Sequence, residues 1–188
     1  DALCRAHSAT HILHYALHKN VGDHAQQQGS KVEADRLRFD FTNQHAIDDE
    51  VLVQIEKDVW TKIDAAQPID WKTVPLADAR TAGAMMLFGE KYPDPVRMVS
   101  MGDFSKELCG GTHLTNTKQV QAFELVVEES VSAGTRRIEA LTGDRAEAHR
   151  VQTRELLEKV AKTLDCQWEH AFAATKQLFA EVRQLKKE

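Results

Sequence analysis

Residues 107–113 read Glu-Leu-Cys-Gly-Gly-Thr-His, which places Cys109 four residues ahead of His113 with only two glycines and a threonine between them. A thiolate and an imidazole so close along the chain make half of a metal shell, and a zinc site built from protein normally takes more than two ligands. The remainder must come from elsewhere, so the fold has to close a distant segment onto this loop. The opening stretch "LCRAHSATHILHYALHK", residues 3–19, has no Gly or Pro and predicts a helix. His7 and His11 stand four apart there, on one helical face. His7, His11, Cys109 and His113 form a Cys/His₃ set able to meet an ion at about 2.0–2.1 Å for nitrogen and about 2.3 Å for sulfur. The same face carries His14 and His18, with Cys4 three residues before His7, so spacing alone leaves His11/His14/His18 open. A histidine stripe by itself is ordinary polar helix surface; the second pair in "CGGTH" is what favours a site. A zincin is excluded, because Ser8, Ala9 and Thr10 fill the gap where its His-Glu-x-x-His helix carries the basic glutamate.

The length, 188 residues, suits one domain or one domain with an appendage, and 42% hydrophobic residues suffice for a core. No apolar run approaches the ~20 residues of a membrane span. Three cysteines without framework spacing fit a reduced, cytoplasmic protein better than a secreted one. No signal peptide is recognisable, and a first residue Asp1 reads as a fragment of something longer. Residues 1–145 hold 16 Lys/Arg against 22 Asp/Glu, a net −6, and residues 146–188 hold 8 against 7, a net +1. That is not the basic excess of a nucleic-acid binder, so any RNA contact must be a local patch.

Gly22 ends the first helix, and "QQQGSKV" reads as a loop. "LRFDFT" alternates Leu37, Phe39 and Phe41 with polar residues, the period of a half-buried strand. Asp48 caps a helix running toward Gln67, and Pro75 opens another through Ala77 to Phe88. "VRMVSMG", "AFELVVEESV" with Phe123, Leu125 and Val127 on one face, and "RRIEALTG" closed by Gly143 read as strands. Helices and strands mix without a βαβ rhythm, so the fold class is α+β, an antiparallel sheet with packed helices. From Asp144 onward there is no Gly or Pro, and Leu157, Ala161, Leu164, Trp168, Ala171, Thr175, Leu178, Val182 and Leu185 recur at spacings of four and three. This heptad seam predicts a long helical, coiled-coil stem, weakened by Thr175 and two alanines, whose partner lies outside the chain or in a second copy. Cys166 sits on that stem as a structural residue.

Six blocks in order, "RAHSATHILHYAL", "QQQGSKV", "LRFDF", "LFGEKY", "ELCGGTH" and "SAGTRRIEALTG", closely resemble the editing domain of bacterial-type alanyl-tRNA synthetase. "CGGTH" alone is shared with free-standing alanyl-tRNA editing proteins, and the threonyl-tRNA synthetase editing domain has a similar metal arrangement. The resemblance divides the chain into an editing domain, residues 1–145, and a helical stem toward an oligomerisation domain, residues 146–188. It implies hydrolysis of tRNA(Ala) mischarged with serine or glycine, with the tRNA acceptor end as partner. It assigns Zn²⁺ to His7, His11, Cys109 and His113, and a pocket role to Gln27, the glutamine of the family's Q-x-G-S loop, ahead of Gly29 and Ser30. Three glutamines in a row, Gln26 to Gln28, leave a one-residue slip open.

Such a domain answers a limit of binding. A small apolar activating site rejects a molecule that only adds a hydroxyl by about 10²-fold, so a second site must demand the hydroxyl. A polar pocket does so, because alanine leaves its buried groups unpaired. Ser8, Thr10, Gln27 and Ser30 are available for that contact, whereas glycine requires a steric limit on the methyl. Gly110 and Gly111 let backbone approach a ligand. Arg136 and Arg137, adjacent on a strand, point to opposite faces, for terminal phosphates or for salt bridges in equal measure. With no carboxylate base in view, the tRNA hydroxyls are candidates to assist. No adenylate-forming motif is visible, so ATP binding and alanine activation belong elsewhere in a parent synthetase. The rivals are a zinc-stabilised tRNA-binding module without hydrolysis, a free-standing editing protein, and a fragment that mainly supports homo-oligomerisation.

Overall fold

The computed structural model describes residues 1–86 and 91–186. Helix α1 (Ala2–Asn20) opens the chain and ends where the Val21 amide bonds back to the Leu17 carbonyl and Gly22 takes a positive φ of 124°. Strands β1 (Gln27–Glu33) and β2 (Arg36–Thr42) then form an antiparallel hairpin. The predicted loop at "QQQGSKV" is therefore a strand. Its Gly and polar residues carry low strand propensity, and pairing with β2 overrides it, with a register shift between Gln27 and Gly29. Leu37, Phe39 and Phe41 are fully buried, as their alternation predicts.

Helix α2 (Asp49–Asp64) follows Asp48, which occupies the N-cap position without a side-chain capping bond. Strand β3 (Ile69–Val74) was not foreseen. Helix α3 (Leu76–Thr81) starts behind Pro75 but is shorter than predicted. Gly83 stops it at φ 73°, its amide on the Arg80 carbonyl and the next amide on the Ala79 carbonyl, a Schellman closure. The predicted far end, Phe88, lies outside the described residues. Strands β4 (Val96–Met101), β5 (Ser105–Leu108), β6 (Phe123–Ser132) and β7 (Thr135–Thr142) complete the set. A bulge between Leu125 and Val127 interrupts the single face expected of β6.

Two antiparallel sheets result, ordered β1-β2-β7-β6 and β3-β4-β5. The main core joins Ala9, Leu13 and Leu17 of α1 to Phe39, Phe41 and Ile138 of the first sheet and Val99 and Met101 of the second. Helix α1 is thus covered by both sheets, and its His11 and His14 are carried into the interior. The α+β class is as the sequence predicts.

The tail differs from the predicted continuous seam. It consists of α4 (Gly143–Thr163), a 3₁₀ turn at Trp168–His170 and α5 (Ala171–Leu185). Asp165 takes φ 50°, with its amide on the Lys162 carbonyl and the Cys166 amide on the Ala161 carbonyl. This Schellman stop occurs without glycine, because Asp tolerates the left-handed region better than most side chains. The heptad spacing survives the break in number but not in geometry. Contacts divide the chain into two compact units, Asp1–Ala146 and Glu147–Glu188.

Candidate metal centre and its cavity

One turn of α1 brings His7 and His11 to the loop that follows β5. One ligand atom each from His7, His11, Cys109 and His113 lie within 4.8 Å of one another, among the described residues the one such group. Each imidazole is oriented through its outer nitrogen. His7 Nδ1 donates to the Thr112 carbonyl at 3.1 Å, His11 Nδ1 to Glu107 Oε2 at 2.8 Å, and His113 Nδ1 stands 3.4 Å from Ser8 Oγ. This leaves the three Nε2 atoms for the centre: those of His7 and His113 are 3.4 and 3.3 Å from Cys109 Sγ. His11 Nε2 is buried with no hydrogen-bond partner. An orphaned buried nitrogen calls for an explanation, and an ion at the shared focus supplies one.

The loop is built to permit this. A Cβ added at Gly111 would sit 2.1 Å from His7 Cε1, so only glycine lets the ring stand there. Arg97 Nη1 donates to both the Cys109 and the Gly111 carbonyls at 2.7 Å, tying the loop to β4. Glu107 Oε1 accepts from Ser105 Oγ at 3.0 Å, and Oε2 also accepts from His14 Nδ1 at 3.3 Å.

Burial opposes a thiolate at Cys109, but the imidazoles of His11, His113 and His7 outweigh it and pull the thiol down to about 3. Burial also opposes charge on His11, yet Glu107 and Cys109 push that imidazole up to about 10. Glu107, although desolvated, is held well below the usual carboxylate range by His11 and His14. His113 is lowered, chiefly by burial, with Cys109 working in the other direction. Two anionic groups thus surround a point where positive charge is stabilised. Sulfur and nitrogen donors in this number fit zinc.

Beside the centre lies a cavity of about 270 Å³ whose wall includes Thr10, His14, Gln27, Ser30, Cys109 and Gly110. Thr10 Oγ1 donates to the Ala6 carbonyl at 2.8 Å, and Gln27 Nε2 donates to Ser30 Oγ at 3.1 Å, leaving the Gln27 carbonyl as an acceptor. Other predicted residues stand apart from this wall. Ser8 is fully buried behind His113 and accepts the Leu114 amide at 3.1 Å, so its position is that of a support and not of a substrate contact. Gly111 abuts His7. Arg136 is paired with Glu128, with Nε 2.6 Å from Oε1, and Arg137 is bidentate with Asp40 at 2.7 and 2.9 Å. Both arginines meet carboxylates within the sheet, the salt-bridge alternative. His14 and His18 pair with each other, ring centroids 4.6 Å apart, and neither belongs to the ligand group. Sequence reasoning missed Arg97 and the supporting role of Glu107. Recognising β5 as a strand would have exposed the second, since Ser105, Glu107 and Cys109 alternate onto one face.

Residues 96–139 match the family model described as the threonyl and alanyl tRNA synthetase second additional domain. That span contains Cys109 and His113 but not α1. An alanine–tRNA ligase of Rhodopirellula baltica is 72% identical over 187 residues, covering 100% of this chain and 20% of that protein. Those of Pelotomaculum thermopropionicum and Nitrosomonas eutropha are 47% and 45% identical, over 100% and 97% of this chain and 21% of each protein. The resemblance to alanyl-tRNA synthetase holds over the whole chain. The chain spans about a fifth of the length of these alanine–tRNA ligases, and the matched segment includes both halves of the histidine–cysteine centre. No helix among the described residues is long and apolar enough to cross a membrane.

Proposed function

We propose that residues 1–145 are a zinc-dependent editing domain that hydrolyses the ester of tRNA(Ala) mischarged with serine or glycine, and that residues 146–188 are a helical stem toward an oligomerising region. The observation that carries this reading is the convergence of His7, His11, Cys109 and His113 beside a small cavity walled by Thr10, Gln27 and Ser30. When bound, zinc would supply Lewis acidity toward the ester carbonyl or a hold on the substrate amine. The Gln27 carbonyl accepts from the substrate's ammonium or hydroxyl, while its amide stays on Ser30. An alanyl ester offers no hydroxyl to such acceptors, and leaving them unpaired disfavours it. Glu107 is engaged by His11, His14 and Ser105, so it serves to orient ligands and is not free as a base. The attacking water therefore draws on the tRNA's own vicinal hydroxyl. In this reading ATP-dependent activation of alanine, cytoplasmic location and homo-oligomerisation belong to a parent alanine–tRNA ligase.

The test is deacylation by this chain of Ser-tRNA(Ala), Gly-tRNA(Ala) and Ala-tRNA(Ala). Turnover of the first two, sparing the third, and its loss in Cys109→Ala are expected. Metal-bound, folded protein that cleaves none of the three would leave a tRNA-binding module and end the hydrolytic reading.

A further inference from the structure

Trp71 lies on β3 and is 63% exposed, which is unusual for the largest apolar side chain. Its surroundings are specific. Strand register sets Trp71 opposite Val99, and Val99 opposite Glu107. Directly opposed residues share a sheet face, so Trp71 lies on the face of β3-β4-β5 that carries Glu107 toward α1. The neighbouring row holds Thr73 and Arg97, whose strand partner in the next bond is Cys109. The Arg97 guanidinium stands 4.8 Å from the Trp71 ring centroid, and the same group holds the Cys109 and Gly111 carbonyls at 2.7 Å. One cation thus joins the exposed indole to the loop of the metal centre. Two inter-strand spacings, about 10 Å, separate the Trp71 backbone from that of Glu107.

We infer that Trp71 and Arg97 form a stacking platform for an unpaired nucleotide near the 3′ end of the RNA whose ester enters the cavity. This rests on the editing reading and deepens it. The indole offers a flat, exposed face, and base stacking on aromatic side chains is how unpaired RNA ends are gripped without sequence readout. The guanidinium rigidifies the ring from one side and places positive charge where a phosphate would pass, in a unit whose net charge is negative. Lys72, the next residue, is also exposed. The platform supplies the local affinity that the overall charge of the chain does not.

The experiment uses an uncharged acceptor-stem minihelix carrying its single-stranded 3′ end, and the same minihelix trimmed blunt, with affinity read by fluorescence anisotropy at fixed salt. Trp71→Ala is expected to weaken binding of the overhang about 5- to 150-fold. Trp71→Phe should retain most of the affinity, and blunt RNA should respond to neither. Equal affinity of wild type and Trp71→Ala for the overhang, or equal loss for overhang and blunt RNA, overturns the platform. In parallel, kinetics on Ser-tRNA(Ala) should show a raised KM with kcat preserved in Trp71→Ala. A KM indifferent to Trp71 sinks the platform and leaves editing standing. Overhang binding that needs Trp71, without any turnover, does the reverse.

Discussion

Helices α1 and α5 are built from similar helix-forming sequence, yet they meet opposite fates. α1 buries Ser8, Thr10, His11 and His14 along with its alanines and leucines, while α5 leaves Phe172, Phe179 and Leu185 at 72%, 59% and 69% exposure. The polar residues of α1 go inside because each finds a partner: the Ala6 carbonyl, Glu107, the Leu114 amide. The apolar residues of α5 stay outside because their own unit, Glu147–Glu188, contains no strand among its described residues to cover them. Burial follows the partners available and not hydropathy alone, and buried polar groups are tolerated only where satisfied.

The largest effect expected from breaking this contrast is removal of metal. Chelation, or Cys109→Ala, should abolish deacylation and lower the melting temperature of the first unit, as read by hydrolysis assay and calorimetry with and without chelator. Next, Phe39→Ala, which empties a fully buried site, should cost about 3–5 kcal/mol in urea unfolding, whereas Phe179→Ala should stay within about 0.5 kcal/mol. Equal costs would mean that α5 is packed after all. Gly111→Ala should displace His7 and weaken metal binding about 10-fold or more, measured by competition with a chromophoric chelator, on the scale of lost ligand support.

The smallest effect concerns acid. Asp58 is nearly buried, which by itself would raise its carboxyl, yet Lys19, Asn20 and Gln54 hold it below the ordinary value. A depressed folded-state pKa gives stability that is present above the unfolded value, about 3.9, and lost as pH falls through the folded one. Asp58→Asn should therefore flatten the stability profile below about pH 4 and lower stability at pH 7 modestly. A matching change in Glu181→Gln, on the exposed helix, would erase the distinction.

Much of the centre was legible beforehand because its spacing is enforced by local geometry: His7 and His11 by the helical turn, Cys109 and His113 by a short glycine loop. Strands β2, β4, β6 and β7 were legible from their own residues, β2 and β6 through their alternation. What stayed hidden depends on partners that a segment does not show by itself. β1 carries a glycine and polar side chains and becomes a strand only because β2 lies beside it. β3 leaves four successive residues, Asp70 to Thr73, exposed and so shows no alternation, and the four-residue β5 holds Glu107, whose meaning appears only when His11 and His14 arrive from α1. The arrest at Asp165 could not be read from composition, since no glycine marks it.

Gln26, Gln27 and Gln28 are chemically identical; with the slip in register before Gly29, Gln27 is half-buried between two more exposed neighbours, and Gln26 shares the cavity wall with it. Identity at this position is therefore a matter of counting along the backbone. A single-residue deletion among the three would still present a glutamine at the place of Gln27, so the repeat shields this part of the wall from a slip of one residue.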